Sequence, residues 1–96
     1  MKKILKILSH SGAIEILKAL SKKAMRFYEI TNETGLRDGT TGRRLKELQN
    51  AGLIHHSPNC LYWITEKGKK VLELIEEFER CLYDKEKEEY GQVRST

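Results

Sequence analysis

No apolar run in these 96 residues approaches the roughly 20 needed to cross a bilayer, so a membrane-spanning protein is not expected. The opening "MKKILKILSHSG" has neither the apolar length nor the cleavage pattern of a secretory signal, and the expected location is cytoplasmic. There is one proline, and the two cysteines, Cys60 and Cys81, form no Cys-x-Cys or Cys-x-x-Cys pair. In a reducing compartment both are expected as free thiols. His10, His55, His56 and the cysteines are donor types suited to soft metals. The close spacing of a metal site is missing, however, and adjacent histidines on a strand point to opposite faces. No metal and no cofactor are expected. No Ser/His/Asp, Cys/His or paired-carboxylate arrangement stands out, and a core this small leaves little room for a pocket, so an enzyme is not expected either.

What is present describes one helix-rich domain: 39% of residues are hydrophobic and 33% charged. The net charge of +4 is unevenly divided, at +6 over residues 1–65 and −2 over residues 66–96. A localised basic excess favours a polyanionic partner, the plain alternative being a well-solvated surface.

Along the chain, Ile4, Leu5, Ile7 and Leu8 alternate with lysines in a short helical pattern that Ser9 to Gly12 interrupt. A second helix is expected over about 12–22, with Ile14, Leu17 and Leu20 setting its inner face. "AMRF" (24–27) is a connector or a small strand. "FYEITNETG" then gives about two turns of helix with Phe27 and Ile30 inward and Gly35 as its stop.

The next helix, expected over 38–50, opens oddly: "DGTTGRR" places two glycines and two threonines, poor helix formers, before two arginines. Asp38 is the N-cap candidate. At about 100° per residue, Thr41, Leu45 and Leu48 share one face, while Gly39, Arg43, Lys46 and Asn50 share the opposite one. Each glycine costs up to about 1 kcal/mol relative to Ala but removes bulk where a backbone must come near a partner. With the hydroxyl of Thr40 and the planar fork of Arg43, this is the surface of a DNA recognition helix. A phosphate-cradling P-loop fails as an explanation, because no Gly-Lys-Ser/Thr follows. The competing structural explanation is a loose helix start whose arginines pair with Glu47 or neighbouring acids.

After Gly52, "LIHH" and "LYWIT" flank the turn formers Pro58 and Asn59 and read as a hairpin. Centred on those two residues, it places Leu53, His55, Tyr62 and Ile64 on one face and Ile54, His56, Leu61 and Trp63 on the other. Thr65 is expected to cap a last helix running from about Glu66 through at least Leu82. Its stripe of Val71, Leu72, Leu74, Ile75, Phe78 and Leu82 is wide for so short a chain, with Cys81 read as a small apolar member. A homodimer is therefore expected, with Leu72, Ile75, Phe78, Leu82 and Trp63 at its interface and help from the N-terminal helix. The acids Glu73, Glu76, Glu77 and Glu79 make the solvent face. The domain is taken as residues 1–82 and the polar stretch 83–96 as a tail that extends the helix before fraying.

The order helix, helix, helix, hairpin, helix, carried by "LSHSGAIEILKAL", "MRFYEIT", "TGLRDGTTGRRLKELQNAGLI" and "YWITEKGKKVL", resembles the winged helix-turn-helix transcriptional regulators of the MarR, ArsR and HxlR groups of prokaryotic repressors. The resemblance implies a mainly α fold with a small β-hairpin, a long C-terminal helix and a dimer reading double-stranded DNA. It assigns Gly39, Thr40, Gly42 and Arg43 to base-facing positions and Arg26, Tyr28, Arg37, Arg44 and Lys46 to phosphates. His56 and Asn59 fall on the wing. Two departures stand out. The wing "HHSPNC" is short and carries no Lys or Arg, and Arg37 occupies the place of a capping serine. No effector is named by these residues. The rival from another class is a winged-helix module for protein–protein contact that binds no DNA, since fold alone does not fix function.

Overall fold

The computed structural model describes the backbone of residues 2–95 and the side chains of residues 3–83. Its elements run α1 (Lys2–Ser9), α2 (Ala13–Lys22), α3 (Phe27–Thr34), α4 (Asp38–Asn50), β1 (Ile54–His56), β2 (Tyr62–Ile64) and α5 (Glu66–Ser95), with β1 and β2 forming an antiparallel hairpin. This is the winged helix-turn-helix order. Helix α5 passes through residue 82 and continues to Ser95.

Helix α2 is the central element. Ala13, Ile16, Leu17, Ala19 and Leu20 are all buried along it, against Ile30 of α3, Leu45 and Leu48 of α4, Leu53, Ile54 and Ile64 of the hairpin region, and Leu72 of α5. Ile14, expected on its inner face with Leu17 and Leu20, is only half-buried, and Ile16 is buried instead. The reason is periodicity: steps of three residues drift across a 3.6-residue turn, whereas 13, 16, 17 and 20 stay on one stripe.

The stops between helices come from backbone chemistry legible in the residues. Gly35 ends α3 at φ +74°, its N–H donating to the Thr31 carbonyl at 2.8 Å. Helix α4 closes in a Schellman motif, in which the Gly52 N–H reaches the Gln49 carbonyl and the Leu53 N–H reaches that of Leu48, both at 3.0 Å, with Gly52 at φ +78°. Thr65 caps α5 as expected, its hydroxyl accepting from the Gly68 N–H at 3.1 Å and donating to the Gly52 carbonyl at 2.7 Å. At the head of α4 the expectation shifts by one. Arg37 is the N-cap, without a side-chain bond, and Asp38 is the first helical residue. There its charge still suits the positive end of the helix.

The hairpin departs from its expected register. Ile54 pairs with Ile64, His55 with Trp63 and His56 with Tyr62. Ile54 and Ile64 therefore go into the core together, while His55 and Trp63 face outward with ring centroids 4.9 Å apart. The cause is Cys60, which adopts φ +65° and lengthens the turn by one residue. Its N–H donates to the Ser57 carbonyl at 3.0 Å, and the Ser57 N–H to that of Leu61 at 2.8 Å. A slip of one residue exchanges the two faces of a strand. The chain before α3 joins this sheet at one point, where Met25 and Tyr62 exchange backbone hydrogen bonds at 2.9 and 2.8 Å.

Candidate nucleic-acid interface

The residues that fix the inner face of α4 decide which ones are left for its outer surface. Thr41, Leu45 and Leu48 are buried against α2, and the Thr41 hydroxyl donates to the Arg37 carbonyl at 2.9 Å. One of the two threonines is thus a core residue whose polar group is satisfied within the helix, and Thr40 stands half-exposed beside it. That leaves Gly39, Gly42, Arg43 and Lys46 outward. A Cβ at Gly39 would meet nothing within 4 Å, and one at Gly42 would only just touch a Phe27 ring carbon at 4.0 Å. Neither glycine is required by the packing of this chain. Arg37, Arg43 and Lys46 are exposed, and among the described residues no hydrogen bond or ion pair engages their side chains.

Arg44 does not stand with them. Its Nε donates to the Ser11 carbonyl at 2.8 Å and its Nη1 to Glu47 Oε1 at 3.1 Å, leaving the side chain 14% exposed. The Nδ1 of His10 lies 3.0 Å from the same carboxylate oxygen. This hydrogen bond with His10 is the main reason the Glu47 carboxyl sits below its ordinary range, against the opposing effect of burial and with the charges of His10 and Arg44 assisting. Where a phosphate contact is expected at Arg44, the guanidinium is instead engaged within its own chain. The spacing of Arg44 and Glu47, three residues apart on a helix, gave one half of this arrangement. Ser11 and His10 lie too far away in sequence to have been foreseen.

Around the wing, a further group of residues comes together. Arg26 precedes α3 and extends Nη1 to 3.4 Å from the Asn59 carbonyl oxygen at the tip of the turn. Its backbone N–H is held by the Glu29 carboxylate at 2.9 Å, which anchors the start of α3. Arg26, Phe27, Tyr28, His56, Cys60 and Tyr62 line an open groove of about 430 Å³ between α3 and the hairpin. The His56 and Tyr62 rings stack at 4.1 Å, and burial raises the Tyr62 phenol above its ordinary value. A wing without a cation of its own thus carries one supplied by the chain before α3.

The residues expected at a subunit interface divide. Leu72 is 4% exposed and belongs to the core of its own chain, because it points toward α2 rather than along the outer stripe. Ile75 is half-buried, while Trp63, Phe78 and Leu82 are exposed, joined on the surface by Leu5 of α1 and by Leu74. Cys60 and Cys81 are free cysteines, and both are exposed. Among the described residues no helix is long and apolar enough to cross a membrane.

A family model described as the HVO_A0261 N-terminal domain matches residues 3–87, and the chain belongs to that family. Over 75 residues it is 33% identical to an uncharacterized HTH-type transcriptional regulator, MJ0925, of Methanocaldococcus jannaschii, covering 73% of this chain and 70% of that one. Among solved structures, quinone-bound YodB from B. subtilis superposes with a TM-score of 0.79 at 24% identity, over 88% of this chain and 96% of that one. The homodimeric winged helix-turn-helix DNA-binding domain Mb0332 from Mycobacterium bovis superposes with a TM-score of 0.73 at 20% identity, over 82% and 77% of the two chains. The chain is a transcriptional regulator of the winged helix-turn-helix class.

Proposed function

We propose that the protein binds double-stranded DNA sequence-specifically as a homodimer, with α4 in the major groove. The observation that carries this reading is the outward face of α4, where a Cβ on Gly39 would meet nothing and one on Gly42 only a Phe27 ring carbon at 4.0 Å, while Arg43 and Lys46 are exposed and have no side-chain partner among the described residues. Gly39, Thr40, Gly42 and Arg43 face bases, and Arg37 and Lys46 face phosphates. Arg26 and Tyr28 serve the backbone beside the wing, at which His56 and Asn59 stand. The exposed apolar side chains of α5, with Leu5 of α1, form the subunit contact. The homodimeric state of the Mb0332 domain supports that assignment.

The test is a titration with duplex DNA at several salt concentrations. A steep fall of log K with log[salt] is expected from counterion release. Flat or absent binding at low salt would favour the protein-contact module instead. Arg43→Ala then separates the roles on the helix. A loss of about 1–3 kcal/mol confined to preferred sites marks a base contact, whereas an equal loss on all sequences marks a phosphate contact.

A further inference from the structure

Arg44 is the one arginine of α4 that is fastened at two points, and both fastenings turn it away from the surface that Arg43 occupies. A cation free to swing onto any phosphate strengthens binding to every sequence alike and adds nothing to discrimination. The Glu47 carboxylate takes Arg44 Nη1 at 3.1 Å and is itself steadied by His10 Nδ1 at 3.0 Å, while the Ser11 carbonyl takes Nε at 2.8 Å. The planar fork of an arginine suits such a two-point hold, which a lysine could not reproduce. The clasp also links the turn between α1 and α2 to the recognition helix, whose position is held separately by Leu45 and Leu48 in the core.

Resting on the DNA reading above, we infer that Glu47 is a specificity-determining positioning residue. It withholds Arg44 from the phosphate backbone, so that binding to unrelated sequence stays weak and discrimination is left to Arg43 and its neighbours. His10 and Ser11 complete the hold. Were Glu47 removed, the arginine on its flexible three-methylene stem, one residue from Arg43 on the same helix, would be released to reach phosphate.

The experiment measures the affinity of the full chain for a random-sequence duplex between 50 and 200 mM salt, for wild type, Arg44→Gln, Glu47→Gln, Glu47→Asp and the double variant Arg44→Gln/Glu47→Gln. Circular dichroism confirms that each variant is folded. Arg44→Gln is expected to keep the wild-type affinity and salt slope. Glu47→Gln is expected to bind more tightly with a slope steeper by about 0.9, so that its advantage over wild type shrinks about threefold across that salt range. The double variant should return to the wild-type slope. Glu47→Asp keeps the negative charge but shortens the reach, so its gain would come from a released Arg44 rather than from lost repulsion.

A flatter slope in Arg44→Gln alone would show that Arg44 already contacts phosphate and overturns the inference. So would a Glu47→Gln gain that persists in the double variant, or the lack of any gain in both Glu47 variants. Steep wild-type binding alongside those results would leave the DNA reading standing, whereas a wild type that binds no duplex at low salt overturns both.

Discussion

Helices α4 and α5 each present a long face that no other described element of the chain covers, and the two faces are opposites. On α4 the uncovered side is glycine, threonine and cation. On α5 it is Leu74, Phe78 and Leu82, of which Phe78 is 65% exposed. Burying an apolar side chain is worth about 1.5–3 kcal/mol, so the α5 face gains from any dry partner, including a second copy of itself. The α4 face gains nothing from dryness, since its arginine and lysine lose hydration when buried without counter-charges. It favours a wet, polyanionic surface. On the proposed reading, a small domain keeps two binding functions apart by giving each helix one shared inner core and a chemically distinct outer side.

The glycines give the sharpest way to break this comparison, and the largest effect is expected at the start of α5. A Cβ on Gly68 would overlap the Leu53 carbonyl oxygen and lie 2.7 Å from Ile64 Cγ1, where backbone leaves little room to give. Gly68→Ala should cost about 4 kcal/mol or more, the range reserved for steric failure inside a core, measured by urea denaturation. A loss under about 1 kcal/mol would mean that helix and hairpin can separate at no consequence. This glycine serves the fold, in contrast to the two on α4.

Within α5 itself, Leu72 and Phe78 separate the inner stripe from the outer one. Leu72→Ala should lower stability by about 2–5 kcal/mol without altering the association of the subunits beyond that loss. Phe78→Glu should leave the fold intact and halve the mass in solution, as read by light scattering. An unchanged mass would remove the outer stripe from the subunit interface.

A smaller change, opposite in sign for fold and function, is expected at Gly39. Gly39→Ala should stabilise the folded chain by up to about 1 kcal/mol, because it is a helical glycine facing open space. The same methyl should weaken binding to a preferred DNA site. Melting temperature and DNA affinity moving in opposite directions would support the glycine as a contact position, and unchanged affinity would return it to an ordinary surface residue.

How much of this was legible in advance follows the range over which each residue acts. Gly35, Gly52 and Thr65 act on hydrogen bonds within a few residues, and their capping roles were readable from local patterns. Thr41 was placed on the inner face of α4 by the 100° rule alone. The hairpin register was missed because it turns on the left-handed conformation of Cys60, a residue that is not a usual candidate for it. Leu72 and Phe78 look equivalent in an apolar stripe, and only the tertiary position of α2 tells the inward from the outward one. For Arg44 the sequence offers both a phosphate contact and a pairing with Glu47, and it does not decide between them because Ser11 and His10, which complete the hold, come from a turn 33 or more residues away.

The smallest expected effect belongs to that same clasp and depends on pH. Because the Glu47 carboxyl is held below its ordinary value of 4.5, it stabilises the folded chain while it is ionised. The contribution is fully present above that ordinary value and disappears as pH falls through the lower value the group has in the folded state. With the carboxylate about a third exposed, solvent screening keeps the contribution small. Comparing the melting temperature of wild type with that of Glu47→Gln from pH 6 down to pH 3 isolates it, since the variant has no carboxyl to titrate. The wild type should melt higher at pH 6, with the gap closing toward pH 3. A gap that stays constant would mean that the hold on Arg44 does not require the negative charge, and that the clasp is a matter of shape and hydrogen bonding alone.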